Sequence, residues 1–139
     1  MERKSQISAE FMIVIAILLI IFLSLFIVIS KKNSQADSLR KALYAREIAD
    51  KISASINSAF ISGDGTSITE EISGSFKDGT PYTISIYPSV KIVEITYTSQ
   101  LDTRHYSSTI TTSSILGDIT QINSTITISN SNGVIYIEK

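Results

Sequence analysis

The sequence predicts an α+β fold in which one long N-terminal helix carries a small antiparallel β-sheet head. Two changes of pattern along the chain lead to this prediction. Residues 11–60 are first apolar on every side and then apolar along one stripe, as expected of a membrane helix that continues into an amphipathic helix. After residue 65, apolar residues alternate with polar ones, which is the two-residue period of strands.

The first half of the predicted helix is long enough to cross a membrane. Residues 11–29 are 19 positions, all apolar except Ser24. At about 1.5 Å per residue they extend roughly 28 Å, close to the thickness of a bilayer's hydrocarbon core. A secretory signal peptide has a shorter apolar core, of about 7–15 residues, before a cleavage site of small residues. Here Ser30, Lys31 and Lys32 follow instead, so we expect the segment to be retained in the membrane.

The second half of the predicted helix, residues 34–60, lacks glycine and proline and carries an apolar stripe. The stripe combines large residues four or five positions apart with alanines: Leu39, Leu43, Ile48, Ile52, Ile56 and Phe60, with Ala36, Ala42, Ala45, Ala49 and Ala59. Charged residues largely occupy the other faces, so we expect the stripe to pack on the head. The helix is predicted from about Ser8 to Phe60. The GDG sequence at 63–65 is expected to end it, because glycine adopts the left-handed cap conformation without penalty.

Four short segments of the head have the alternation typical of strands. Their apolar residues are Tyr82, Ile84 and Ile86, then Val93, Ile95 and Tyr97, then Ile122, Ile126 and Ile128, and finally those of residues 133–137. Turn signals separate these segments at 77–81, 87–90 and 129–133. Asn132-Gly133 is the strongest hairpin signal in the chain. Residues 99–120 are less defined, with strand propensity at 107–112 and a turn near Gly117.

The composition of the head favours a surface-exposed β domain. Residues 1–60 carry eight basic and five acidic groups, whereas residues 61–139 carry four basic and eight acidic groups. A mildly acidic head argues against a nucleic-acid surface. Serine and threonine fill 27 of the 79 positions of the head, which suits exposed strands. The chain has no cysteine, so disulfides and thiolate metal sites are excluded.

The sequence offers little for catalysis or metal binding. His105 is the only histidine, and it lies in a polar stretch where a solvated ring is expected. The GDG sequence lacks the repeated carboxylates of a calcium loop, and Glu70-Glu71 is interpreted as a solvated pair. We therefore predict neither an enzyme nor a metal or cofactor site. Five tyrosines are assigned to the core or to cross-strand pairs, namely Tyr82, Tyr87, Tyr97, Tyr106 and Tyr136. Asn123 begins the one complete acceptor motif for N-glycosylation.

A short polar pattern stands directly before the apolar run. Residues 3–5 form a basic leader, and the sequence QISAEFMIV follows it. Gln6, Ser8 and Glu10 lie two positions apart, and Val14 lies four positions further on. A carboxylate is costly if it enters lipid, so Glu10 is expected to have a role of its own.

This pattern resembles the archaeal class III signal peptide of type IV pilin-like proteins, over roughly residues 3–30. The family pattern is a glutamine, any residue, a serine, any residue, a glutamate, and then three residues and a leucine. Gln6, Ser8 and Glu10 match this spacing, and Val14 occupies the leucine position. The resemblance does not extend to the head.

The resemblance implies that a prepilin peptidase cuts the chain between Ser5 and Gln6. The expected organisation is then a leader peptide at 1–5, a transmembrane or filament-core helix at 6–60 and a β-rich head at 61–139. Cleavage before the apolar run leaves the helix on the mature protein. It also creates a positive amine at Gln6, four residues from Glu10 and on about the same helix face.

The resemblance further implies that the chain is a pilin, the structural subunit of an archaeal type IV-like pilus. Glu10 would meet the N-terminal amine of a neighbouring copy, and the cost of burying unpaired charges would reject misaligned subunits. The partners are then other copies of the chain, the prepilin peptidase, the membrane and an assembly platform, with no nucleic acid. The precursor is expected to span the membrane once, and the mature chain to form an extracellular filament on the cell surface.

Two other interpretations stay open. The chain is alternatively a single-pass, membrane-anchored surface domain that does not polymerise, or a minor pilin-like component of a secretion or adhesion machine. One feature opposes the pilin orientation, because Lys31, Lys32, Arg40 and Lys41 follow the apolar run and the positive-inside tendency would place them in the cytoplasm. The acidic, hydroxyl-rich composition of the head favours the extracellular side of the membrane, and we predict that the head lies there.

Overall fold

The computed structural model describes residues 2–99, 102–117, 119 and 124–138, with side chains from residue 10 onward except that of Ser124. These residues form one helix, α1 (Glu2–Ser62), and seven strands in two sheets. The predicted α+β class, with one long N-terminal helix, is confirmed. The chain divides into two compact units, the first ending at Leu39 and the second covering residues 40–139.

Helix α1 begins six residues before the predicted start and ends two residues after Phe60. Gly63 follows the last helical residue directly and has a φ angle of 87°, so the helix stops where the GDG sequence predicts. A left-handed residue at this position turns the chain away from the helix axis at little steric cost to glycine.

Within the second unit, the buried face of α1 is narrower than the predicted stripe. Its buried apolar residues are four and three positions apart: Ala45, Ala49, Ile52, Ile56 and Ala59. That spacing follows the 3.6-residue helical period and keeps one face toward the sheets. The prediction was wrong for Leu43 and Phe60, which are exposed, as is Leu39 in the first unit. At 100° per residue, Leu43 lies roughly 160° from the centre of the buried face.

The strands of the second unit form a four-stranded and a three-stranded sheet. The first sheet contains, in spatial order, β1 (Ser67–Ile72), β6 (Ser124–Ser131), β7 (Val134–Glu138) and β5 (Ile115–Leu116). The second contains, in spatial order, β2 (Tyr82–Tyr87), β3 (Ile92–Ser99) and β4 (Asp102–Thr109). All pairings are antiparallel except that of β5 with β7, which is parallel. The head therefore has two sheets, where the sequence suggested one.

The two sheets and the buried face of α1 share one hydrophobic core. Isoleucine is the commonest residue of this core. Alternate positions of neighbouring strands face inward together, so that Ile84 lies opposite Ile95, and Ile128 lies opposite Ile137. All four side chains are buried. Branched side chains suit this arrangement, since they pack well on a pleated surface.

The turns lie where the sequence predicts them. Asn132 and Gly133 have φ angles of 53° and 80° and join β6 to β7, the conformation of a two-residue hairpin turn that follows the strands' twist. At residues 77–80, Asp78 Oδ1 accepts a hydrogen bond of 3.0 Å from the Thr80 amide. Residues 88–91 connect β2 and β3.

Strand β5 was not predicted, and two longer strands were missed or only partly predicted. Strand β1 includes Glu70 and Glu71, which were interpreted as a solvated pair; Glu71 is exposed, but Glu70 is half-buried. Strand β4 includes His105, which was interpreted as part of a loop. Both strands lie at the edge of a sheet and carry polar residues toward solvent, so their apolar alternation is weak.

Candidate functional site

The apolar part of α1 is uncovered along its whole length. The large apolar side chains of residues 11–29 are each between 44% and 68% exposed. Mean hydropathy reaches 3.5 in this helix, which is long and apolar enough to cross a membrane. Ser24 donates its hydroxyl to the Ile20 carbonyl at 2.8 Å, which satisfies that polar group within the helix. The segment is therefore compatible with a membrane anchor.

The residues of the predicted processing motif all lie in helical backbone at the start of α1. Gln6, Glu10 and Val14 are spaced by four, so they belong to one helix face. The side chains of Ser5, Gln6 and Ser8 lie outside the part that the structure describes. The Glu10 side chain is exposed, as is Val14. Among the described side chains, none forms an ion pair with Glu10.

A charged contact that sequence reasoning missed joins the second part of α1 to β1. Lys51 Nζ lies 2.7 Å from Glu70 Oε2, and Ser55 donates its hydroxyl to Glu70 Oε1 at 2.7 Å. The Glu70 side chain is only 18% exposed. The hydrogen bond from Lys51, followed by that from Ser55, lowers the pKa of Glu70 below its ordinary value. One signal for this inward position was the alternation of Ile68, Glu70 and Ile72.

The end of α1 is held by Asn130, a second residue that the sequence did not single out. Asn130 is buried, and its side-chain amide donates to the Ala59 carbonyl at 2.9 Å. Its Oδ1 accepts a hydrogen bond of 3.0 Å from the Gly133 amide. The last carbonyls of a helix have no partner within the helix. Asn130 therefore connects the helix end to the β6–β7 hairpin.

A groove opens in the second unit between α1, the end of β1 and the segment before β2. Its volume is about 210 Å³. Three aromatic rings meet in it: Phe76 stacks on Tyr82 at 4.9 Å between ring centroids and lies 6.3 Å from Tyr44. The Tyr82 hydroxyl donates to the Ser73 carbonyl, and burial raises the pKa of Tyr82 to about 12.

Of the tyrosines assigned to the core or to cross-strand pairs, Tyr82 and Tyr97 are buried and lie opposite each other on β2 and β3. Tyr106 packs on the core in part. Tyr87 and Tyr136 are exposed, although each has a cross-strand partner in its sheet.

The described part of the head contains one histidine, His105, on strand β4. His105 is exposed, as expected, and its Nδ1 lies 3.1 Å from Thr96 Oγ1 and 3.4 Å from Glu94 Oε1. Across the described residues, no group of three or more histidine, aspartate or glutamate side chains is placed to hold a metal ion. Asn123, the predicted glycosylation site, lies outside the described residues.

Searches with this chain against models of protein families, curated proteins and solved structures found no match.

Proposed function

We propose that this chain is a pilin-like structural subunit, made as a single-pass membrane precursor and assembled into an extracellular, archaeal type IV-like filament after cleavage before Gln6. The observation that carries the proposal is the spacing of Gln6, Ser8 and Glu10 directly before an uncovered apolar helix. An ordinary membrane anchor needs the apolar helix alone. It needs neither a carboxylate at this position nor the residues before it.

The apolar helix requires an apolar environment in both states of the proposed life cycle. Each large side chain of residues 11–29 gains about 1.5–3 kcal/mol from full burial, and none is buried within a single chain. The bilayer covers these side chains in the precursor. In a filament, the same helices from many copies would cover one another by close packing.

Glu10 would set the register of that packing. Cleavage before Gln6 creates an amine one helical turn from the Glu10 carboxylate. A carboxylate near a helix N-terminus is also favoured by the helix dipole. In an apolar filament core, a carboxylate and an amine of neighbouring copies stabilise each other only when they meet. Misplaced copies would leave both charges buried and unpaired.

One of the basic residues that follow the apolar run, Lys41, forms an ion pair within the head. Lys41 Nζ lies 3.2 Å from Asp78 Oδ2, and its side chain is mostly buried. Arg40 also has a partner in the chain. Lys41 therefore has a role in the second unit, which weakens its weight as a cytoplasmic signal. The weaker cytoplasmic signal supports an extracellular position for the head.

Substitution of Glu10 in the source organism tests the proposal. We expect Glu10→Ala and Glu10→Gln to insert into the membrane normally, because they remove a charge near lipid. Breaking a buried ion pair costs about 3–5 kcal/mol, so filament yield should fall at least about tenfold. Glu10→Asp keeps the charge and should retain part of the yield. Normal filaments from Glu10→Gln would remove the proposed role of Glu10.

The main alternative is an anchored surface domain that does not polymerise. Shearing of cells separates the two, since filaments are released by shear and recovered by sedimentation, whereas an anchored domain stays with the membrane. Recovery of the chain only in the membrane fraction would favour the anchored domain. A minor pilin-like component would appear in sheared filaments at few copies relative to another major subunit.

A further inference from the structure

We infer that the β2–β3 turn of one copy docks into the aromatic groove of the next copy, so that heads contact each other end to end. This inference rests on the proposed function, because it needs a filament in which copies repeat. It adds a specific contact between heads, which the packing of apolar helices does not supply.

The groove is built to accept an apolar side chain. Its floor contains Ile48 and Tyr44 from α1, Ile72 from β1, and the rings of Phe76 and Tyr82. The volume of about 210 Å³ exceeds the roughly 150 Å³ of an apolar cavity that holds benzene. A groove of this size and lining takes one or two side chains rather than only water.

The rim of the groove favours a positive charge beside that apolar group. The rim carries three carboxylates, those of Glu47, Glu70 and Glu71. It carries only two ammonium groups, those of Lys51 and Lys77. Lys51 and Glu70 neutralise each other at 2.7 Å. Lys77 lies 5.4 Å from the centre of the Tyr44 ring. Glu47 and Glu71 are exposed and make no ion pair with another described side chain, so the rim attracts a cation.

The β2–β3 turn presents this combination of groups. Val90 is 63% exposed, although it is a large apolar residue, and exposed Lys91 follows it directly. Tyr87, at the end of β2, is also exposed. The turn is held in shape, because the Lys91 amide donates to the Pro88 carbonyl at 3.2 Å and the Ile110 amide donates to the Lys91 carbonyl at 2.9 Å. A preformed turn loses little conformational freedom on docking.

The groove and the turn lie at opposite ends of the same strand. Strand β2 begins at Tyr82, in the groove, and ends at Tyr87, next to the turn. At about 3.4 Å per residue these ends are roughly 17 Å apart. Two complementary patches at different places on one chain make a heterologous contact, which repeats from copy to copy and builds an open polymer when it does not close into a ring.

Paired cysteines test the contact in the full chain, which has no cysteine of its own. Ser75 lines the groove and is partly exposed. The double variant Val90→Cys with Ser75→Cys is expressed in the source organism, and sheared filaments are oxidised. Docking brings the two Cα atoms within the distance of about 7 Å that a disulfide needs. We expect a ladder of covalent oligomers on a non-reducing gel. Val90→Cys paired with Thr83→Cys, an exposed position on β2, should give no ladder.

Charge exchange provides an independent readout. Lys91→Glu places like charges together, and so does Glu47→Lys combined with Glu71→Lys; each should lower the yield of sheared filament by roughly tenfold. The combination of all three changes should restore the yield. If filaments form but the cysteine pair gives no ladder and the charges do not compensate, the head contact is refuted while the proposed function stands. If the unmodified chain forms no filaments, both are refuted.

Discussion

Ile56→Ala tests whether the second part of α1 is the central element of the head's core. Ile56 is 0% exposed and belongs to the hydrophobic core that both sheets share. The substitution removes three carbon atoms, which lose about 0.8 kcal/mol each, or roughly 2.4 kcal/mol in transfer free energy. The cavity left in a close-packed core adds to this, so we expect a loss of about 3–4 kcal/mol in the free energy of unfolding.

Ile61→Ala is the matched control for this experiment. It is the same chemical change five positions along the same helix, but Ile61 is 77% exposed. A surface substitution of this kind changes the free energy of unfolding by about 0.5 kcal/mol or less. The comparison separates loss of burial from any change in helix propensity, because both sites replace isoleucine with alanine in α1.

The assay is urea unfolding of the full chain in detergent micelles. The chain has six tyrosines and no tryptophan, so the tyrosine near-ultraviolet circular dichroism reports on packing in the head. With a urea dependence of about 1–3 kcal/mol per M, the urea midpoint for Ile56→Ala should fall by about 1–4 M. Equal midpoints for Ile56→Ala and Ile61→Ala would refute the assignment of the buried face.

Three further predictions concern polar contacts of the head, each measured in the same unfolding assay. Burial raises the pKa of Tyr82 to about 12 from the ordinary 10.0. Because the unfolded chain then ionises this tyrosine more readily than the folded chain does, the free energy of unfolding should fall by about 2–3 kcal/mol as the pH rises from below 10 to 12. Tyr82→Phe should remove this loss, whereas Tyr87→Phe should keep it. The hydrogen bond from Lys51 lowers the pKa of Glu70 below 4.5. The Glu70 carboxylate therefore stabilises the fold above pH 4.5, and this stabilisation is lost as the pH falls through the pKa of Glu70 in the folded state. Lys51→Met should reduce this decrease in the free energy of unfolding at acid pH. Asn130→Ala should cost about 1–3 kcal/mol, because buried groups at the helix end lose their partner; an unchanged midpoint would contradict the role assigned to Asn130.

The helix and the strands with a clear apolar alternation could be predicted because their patterns are local. The apolar run of residues 11–29 and the alternation around Ile84 and Ile95 depend only on neighbours in sequence. The same is true of Asn132-Gly133, whose preference for positive φ angles is a property of the residues themselves. Each of these predictions agrees with the structure.

The parts that were missed depend on contacts between distant segments. Glu70 faces inward because Lys51 and Ser55, from another element, satisfy its carboxylate; the sequence shows only a polar residue that interrupts an apolar alternation. Leu43 was assigned to the core on its spacing from other apolar residues, but the sheets cover a different face of the helix. The division into two sheets depends on strand order, which local patterns do not encode.

The groove was also beyond prediction from sequence. Its floor joins Tyr44 of the helix to Phe76 and Tyr82, which are more than thirty residues away in the chain. The spacing of Gln6, Ser8 and Glu10, in contrast, is a pattern of neighbouring residues and can be recognised from the sequence alone.

The mass of the mature protein, purified from its own cells, tests the central proposal most directly. Intact-mass and N-terminal peptide measurements determine which bond has been cut. We predict that the chain in sheared filaments begins at Gln6 and lacks residues 1–5, which leaves a free amine four residues from Glu10. A cell-surface form that still carries residues 1–5 would contradict the proposed processing, and with it the pairing of that amine with the carboxylate of a neighbouring copy.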